Sequence, residues 1–190
     1  MFERGFKSWC EQRSLELRRQ LDLRHTDPVD TWALAAHLKI RVCTASDIKD
    51  LSAEARKALE ADDAGWWAVT LEFPEQQRKL IILNQTHSLR QQSSDLTDEL
   101  SHHLCEHRPF SLEVSEEGLL MLETYSRKDE EEADWLSGCL LLPRPALMHI
   151  KHRFADENAA AESYLVSRAM LKYRLDVSGV NYQLRRASAC

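Results

Sequence analysis

The stretch Thr97-Asp98-Glu99-Leu100-Ser101-His102-His103 constrains the fold most, because its spacing has chemical meaning only on a helix. In the pattern H-E-x-x-H, histidines at i and i+4 share one helix face and grip a metal. The glutamate between them serves as general base on water. Glu99 and His102 stand where that pattern has its glutamate and second histidine. Position 98 is aspartate where the pattern has histidine.

Asp98 and His102 project together from such a helix, with Glu99 one step round. A third ligand has to come from elsewhere in the chain. Asp129-Glu130-Glu131-Glu132-Ala133-Asp134 opens the next strong helix pattern and offers several carboxylates. Glu132 is the expected ligand, beside the apolar positions Ala133 and Leu136. Acidic residues in a first turn also favour the helix dipole without any metal. A second register exists in His103-Leu104-Cys105-Glu106-His107, which matches H-x-x-E-H with Glu106 as base. Pro109 follows closely, so His107 falls where a helix frays, and histidines there suit a helix C-terminus without a metal.

The surrounding chain reads as α+β. Residues 2–22 suggest an amphipathic helix with Phe2, Phe6, Trp9 and Cys10 on one face. Asp27-Pro28 predicts a cap and first turn for a helix burying Val29, Trp32, Ala33, Ala36 and Leu38. Residues 40–44 alternate as a short strand. Residues 52–60 read as a polar helix. Residues 66–73 and 79–84 read as a hairpin, and the second strand is apolar on both faces. Ser94 is expected to cap the motif helix, which runs to about Glu106. Residues 113–128 fit no single pattern. Helices follow over 130–142, 145–153, 156–173 and 178–186, the last two stretches with one polar break. The expected architecture is a small mixed or antiparallel sheet packed against helices, with a mostly helical C-terminal half. An N-terminal helical extension over 1–27 precedes the main domain over 28–190.

Composition narrows the function. A net charge of -6 argues against sequence-independent nucleic-acid binding, which needs a basic surface. No apolar run approaches the ~18 residues that span a bilayer. Met1 to Lys7 contains no apolar signal core. Five scattered cysteines without a C-x-x-C pair suggest reduced thiols. A cytoplasmic protein is expected, with no membrane and no direct nucleic-acid partner.

Flanking residues favour the first metal register. Gly65-Trp66-Trp67-Ala68-Val69-Thr70, then Ile81-Ile82-Leu83-Asn84, His87-Ser88-Leu89-Arg90 and the Asp98 to His102 motif resemble the ImmA/IrrE family of metallo-endopeptidases. That family shows a G-W-S-A strand, a strand ending in Asn, an Arg before the helix, and an H-E-L-x-H helix. Glu130 to Leu136 with Leu140-Leu141-Leu142-Pro143 is similar to its E-x-E-A-[ND]-x-[FL]…L-L-x-P segment. Val166-Ser167-x-x-Met170, Tyr173-Arg174-Leu175 and Ser178-Gly179-Val180 are similar to its C-terminal segment. The resemblance spans residues 28–182 and implies a zincin-like fold.

Carried over by position, the resemblance makes His102 a zinc ligand, Glu99 the general base, Glu132 the third ligand and Asp98 the altered first ligand. An aspartate replaces an imidazole nitrogen with oxygen and adds negative charge. The expected site therefore binds Zn²⁺ more weakly and shifts toward Mn²⁺ or another divalent ion. The resemblance also implies a helix-turn-helix transcriptional repressor as substrate, in gene-regulatory circuits of phage or mobile elements. Two functions compete: a metal-dependent endopeptidase with a degenerate motif, and a non-enzymatic interaction module that keeps the groove. A third reading, purely structural, requires that the candidate ligands lie far apart.

Overall fold

The computed structural model describes residues 2–49, 52–60, 65–73, 78–108, 111–114 and 121–187. The chain folds as two compact units. Thr31–Asp134 forms one, and residues up to Asp30 join those from Trp135 onward in the other.

The first unit is built on a three-stranded mixed sheet. β1 (Arg41–Thr44) pairs in parallel with β3 (Arg78–Leu83), and β2 (Ala68–Phe73) pairs with β3 antiparallel. The expected hairpin thus forms, with Ala68 opposite Leu83 and Phe73 opposite Arg78. β3 is central, and Ile81, Ile82 and Leu83 are all buried. Consecutive strand side chains point to opposite faces, so burial of all three means both faces are covered there. Residues 74–77 of the expected turn lie outside the described residues.

Two helices pack with this sheet, α2 (Thr31–His37) and α4 (Leu89–Leu104). α2 starts three residues later than the Asp27-Pro28 signal predicts. Asp27 instead bonds Arg24, accepting from its backbone N–H at 3.0 Å. The buried face also differs from the expected one: Leu34 and Ala35 are covered, while Ala33 and Ala36 are exposed. α3 (Ala53–Glu60) lies between β1 and β2 in the chain.

α4 begins earlier than Ser94. Ser88 caps it: its Oγ accepts from Gln91 N at 3.3 Å, and Gln91 Oε1 accepts from Ser88 N at 3.2 Å. This reciprocal S-x-x-Q box satisfies two end groups and outcompetes a cap further along. Ser93, Leu96, Thr97, Leu100 and Ser101 form the buried stripe. The hydroxyls of Thr97 and Ser101 bond carbonyls one turn back, so their burial leaves no polar group unpaired.

A second hairpin, β4 (Ser111–Val114) with β5 (Met121–Thr124), occupies part of the stretch that fitted no single sequence pattern. α5 (Arg127–Leu141) follows and contributes residues 127–134 to this unit.

The second unit is helical. It contains α1 (Phe6–Gln20), residues 135–141 of α5, α6 (Arg144–Arg153), α7 (Glu157–Ser163), α8 (Arg168–Val177) and α9 (Val180–Ala187). α1 buries Cys10, Ser14, Leu17 and Arg18, while Trp9 stays partly exposed. The stretch 156–173 divides into α7 and α8, broken at Leu165 by a left-handed φ of 52°. Two buried arginines serve the C-terminal carbonyls of α5. Arg18 Nη2 donates to Leu141 O at 3.2 Å, and Arg174 Nη2 donates to Leu142 O at 3.2 Å and Glu11 Oε1 at 2.6 Å. Ser14 Oγ donates to Cys139 O at 2.7 Å. Pro143 prevents a further helical turn, and these side chains satisfy the carbonyls left over.

Cys10, Cys43, Cys105 and Cys139 are free thiols. Among the described residues, no helix is long and apolar enough to cross a membrane.

Candidate metal centre

The last two turns of α4 carry Asp98, Glu99 and His102 beside the buried stripe. Asp98 and His102 sit one turn apart, and Asp98 Oδ2 lies 3.9 Å from His102 Nε2. The third group comes from α5. Ser126 Oγ accepts from Asp129 N at 3.2 Å, and Asp129 Oδ2 accepts from Ser126 N at 3.3 Å. That cap opens the helix at Arg127, a turn before the expected start. Glu130 then places Oε2 3.7 Å from His102 Nε2.

Glu132, the expected third ligand, turns instead to His107, with Oε2 3.3 Å from His107 Nε2. Successive helix positions advance by about 100°, so residues 130 and 132 of one helix cannot present the same face. Glu131 points away and pairs with Arg127 at 3.1 Å.

The alternative register does not assemble on one helix. α4 ends at Leu104, and Glu106 adopts a left-handed φ of 57°. His107 N donates to His102 O and Glu106 N donates to His103 O, both at 3.1 Å. These are the two bonds of a Schellman turn, here with glutamate in the position that glycine usually fills. The turn takes His107 out of helical spacing with His103 and folds it back beside His102. Neither potential ligand group among the described residues contains His103 or Glu106. The two groups are Asp98, His102 and Glu130, then His107, Asp129 and Glu132.

His102 is held tightly. It is 3% exposed, and the Tyr125 ring stacks on it at 3.7 Å between centroids. Its Nδ1 lies 3.1 Å from His107 Nδ1. Glu99 Oε2 accepts from Thr70 Oγ1 on β2 at 2.6 Å, which anchors the candidate base to the sheet.

Electrostatics at the site favour a cation. Burial pushes the Asp98 carboxyl up to about 8, reinforced by the nearby charges of Asp134, Glu99, Glu130 and Asp95. Its side chain is still 38% exposed, so water screens part of that shift. Burial, with Asp134 beside it, also raises Glu130. Burial, with His107 next to it, depresses His102 to about 4, so its imidazole is neutral and keeps a lone pair. Burial and the carboxylates of Glu132 and Asp129 push the Cys105 thiol up to about 12, which removes it as a nucleophile.

The donor set fits a divalent ion. Neutral imidazole and carboxylate are ordinary ligands for such ions, with bonds near ~2.0–2.2 Å. Donor atoms around a tetrahedral ion then lie roughly 3.4 Å apart, and the separations of 3.7 and 3.9 Å about His102 Nε2 are close to that. Carboxylates that gather without a cation between them repel one another, and an ion would relieve the repulsion.

Residues 35–176 match the family model for the IrrE N-terminal-like domain, peptidase M78. The chain belongs to this family. No curated protein and no solved structure shows detectable similarity. The match agrees with the ImmA/IrrE resemblance of the sequence motifs, and with it the α+β architecture is zincin-like. Membership in a metallopeptidase family suggests a divalent metal.

Sequence reasoning missed Glu130, Tyr125, Thr70 and the position of His107. The Ser126-x-x-Asp129 spacing carried a legible signal for where α5 begins, though not for which of its carboxylates faces His102. Nothing local marks Tyr125 or Thr70. Both reach the site through hairpins whose placement is tertiary.

Proposed function

We propose that this M78 family member is a metal-dependent endopeptidase, with Asp98, His102 and Glu130 holding the ion and Glu99 acting as general base. One observation carries the reading: the carboxylates of Asp98 and Glu130, from two helices, converge on His102 Nε2, beside a glutamate already held by Thr70. The ion, most simply Zn²⁺ with Mn²⁺ an alternative, would supply Lewis acidity to a peptide carbonyl and acidify water. Glu99 would take the proton from the attacking water and deliver it to the leaving amine. The Thr70 hydroxyl orients the Glu99 carboxylate for that transfer.

The substrate proposed is a helix-turn-helix repressor, whose cleavage relieves gene repression in the cytoplasm. Support for this partner is the ImmA/IrrE resemblance, together with a net charge of -6 that suits a basic DNA-binding protein. A second reading, a non-enzymatic module that binds the same partner, is favoured by Asp98 alone. An aspartate in place of a histidine leaves one fewer nitrogen donor and a carboxyl that tends to hold its proton.

Metal analysis by mass spectrometry, after purification without chelators, separates the two. Near-stoichiometric metal in the wild type, with hydrolysis of a co-encoded repressor that drops ~10²–10⁴-fold in Glu99→Gln, supports the enzyme. An empty wild type, with metal restored by Asp98→His and no hydrolysis of a bound repressor, supports the binding module.

A further inference from the structure

His102 touches the site through one ring nitrogen and His107 through the other. His102 Nε2 faces Asp98 and Glu130 at 3.9 and 3.7 Å, while Nδ1 lies 3.1 Å from His107 Nδ1. His107 in turn directs Nε2 to Glu132 Oε2 at 3.3 Å. Lys128 Nζ stands 3.5 Å from the other oxygen of Glu132.

This geometry allows an arrangement of protons that leaves His102 Nε2 bare. An ionised carboxylate can only accept hydrogen bonds. A His107 that carries its one proton on Nε2, toward Glu132, has a bare Nδ1 facing His102. Two bare nitrogens cannot bond, so His102 must carry its proton on Nδ1. Its Nε2 then has the free lone pair, and that is the nitrogen facing Asp98 and Glu130. The opposite tautomer would point an N–H into the site and could hold no ion.

We propose that Glu132 and His107 are positioning residues that fix the His102 tautomer and ring, presenting Nε2 as a metal ligand. Ligating histidines generally donate their second N–H to an acceptor, and here the acceptor is another histidine backed by a glutamate. Three local features bring the relay about. The Schellman turn at Glu106 folds His107 back, α5 aims Glu132 outward from the ligand group, and Tyr125 stacks on the ring of His102. The group His107, Asp129 and Glu132 could also be read as a second ion site. Against that, Lys128 already supplies a cation to Glu132, and Asp129 faces His107 Nε2 only through Oδ1 at 3.8 Å, its Oδ2 being taken by Ser126 Oγ at 2.7 Å.

The inference rests on His102 being a ligand, and the test keeps the two apart. Long-range ¹H–¹⁵N NMR of the histidines is recorded on the full, metal-free chain, and Zn²⁺ affinity is titrated separately. In the wild type, His102 should be the Nδ1–H tautomer. His107→Phe should move it toward Nε2–H and weaken Zn²⁺ binding by roughly 10–100-fold. His107→Asn places an acceptor oxygen near the original Nδ1 and should restore most of both. An Nε2–H tautomer in the wild type would overturn the proposal without any variant. So would a second Zn²⁺ per chain that disappears in His107→Phe, because His107 Nε2 would then be a ligand. A tautomer shift in a chain that binds no Zn²⁺ would leave the relay standing and remove the metal reading alone.

Discussion

At the scale of single residues, the site is a balance between an acid pushed toward neutrality and a base pushed the same way. Asp98 rises from 3.8 to about 8, so the fold holds its proton more tightly than the unfolded chain does, and stability is lost as pH climbs between those values. His102 falls from 6.5 to about 4, so stability is gained as pH climbs through that window. Below pH 6.5 the two oppose each other. Above it the carboxyl acts alone, with Glu130, Asp134 and Asp95 shifted in the same direction. The melting temperature of metal-stripped protein should therefore fall from pH 6.5 to 8, and Asp98→Asn should flatten that slope. A wild-type profile that is flat, or rises, across this range would refute the account. Asp98 and Glu99 were legible as a pair in the sequence, because i, i+1 and i+4 spacing on a helix is local geometry.

At the scale of elements, the ends of helices settle what their faces present. The Ser88 and Ser126 caps start α4 and α5 earlier than their apolar patterns suggest, and within α5 it is Glu130, not Glu132, that faces His102. Hydrophobic periodicity reports a helix's interior and is silent about its first turn, where side-chain caps decide. α5 also carries Gly138, where an added Cβ would lie 2.6 Å from Arg174 Cδ. Arg174 is fully buried and tied to Glu11 and Leu142, so it has little freedom to retreat. Gly138→Ala should destabilise the protein by about 1–3 kcal/mol from overpacking, although alanine is the better helix former by about 1 kcal/mol. Chemical denaturation measures this directly. An alanine variant as stable as the wild type would mean the guanidinium repacks.

At the scale of the whole molecule, the candidate site lies within Thr31–Asp134, drawing on α4, α5 and β2. An ion bound by the folded chain alone stabilises it by mass action, about 2.7 kcal/mol at a hundredfold excess over Kd. Zn²⁺ or Mn²⁺ should raise the melting temperature in proportion to the logarithm of its concentration, and a chelator should reverse the gain. Ala replacement of His102 or Glu130 should remove that response. A response of equal size in His102→Ala would place the ion elsewhere.

The sequence by itself determined the α+β class, the hairpin, the motif helix and the family. All of these rest on local periodicity and on residue types at fixed spacing, which the chain cannot change by folding. The tertiary structure alone decided which carboxylate meets His102, which nitrogen of His102 faces the carboxylates, and that Tyr125 and Thr70 lie at the candidate site. Those facts depend on where α5 begins, how α4 ends and how hairpins pack beside them. Local caps set the first two, but only packing between segments remote in sequence brings those groups together at His102, and no local pattern encodes that packing.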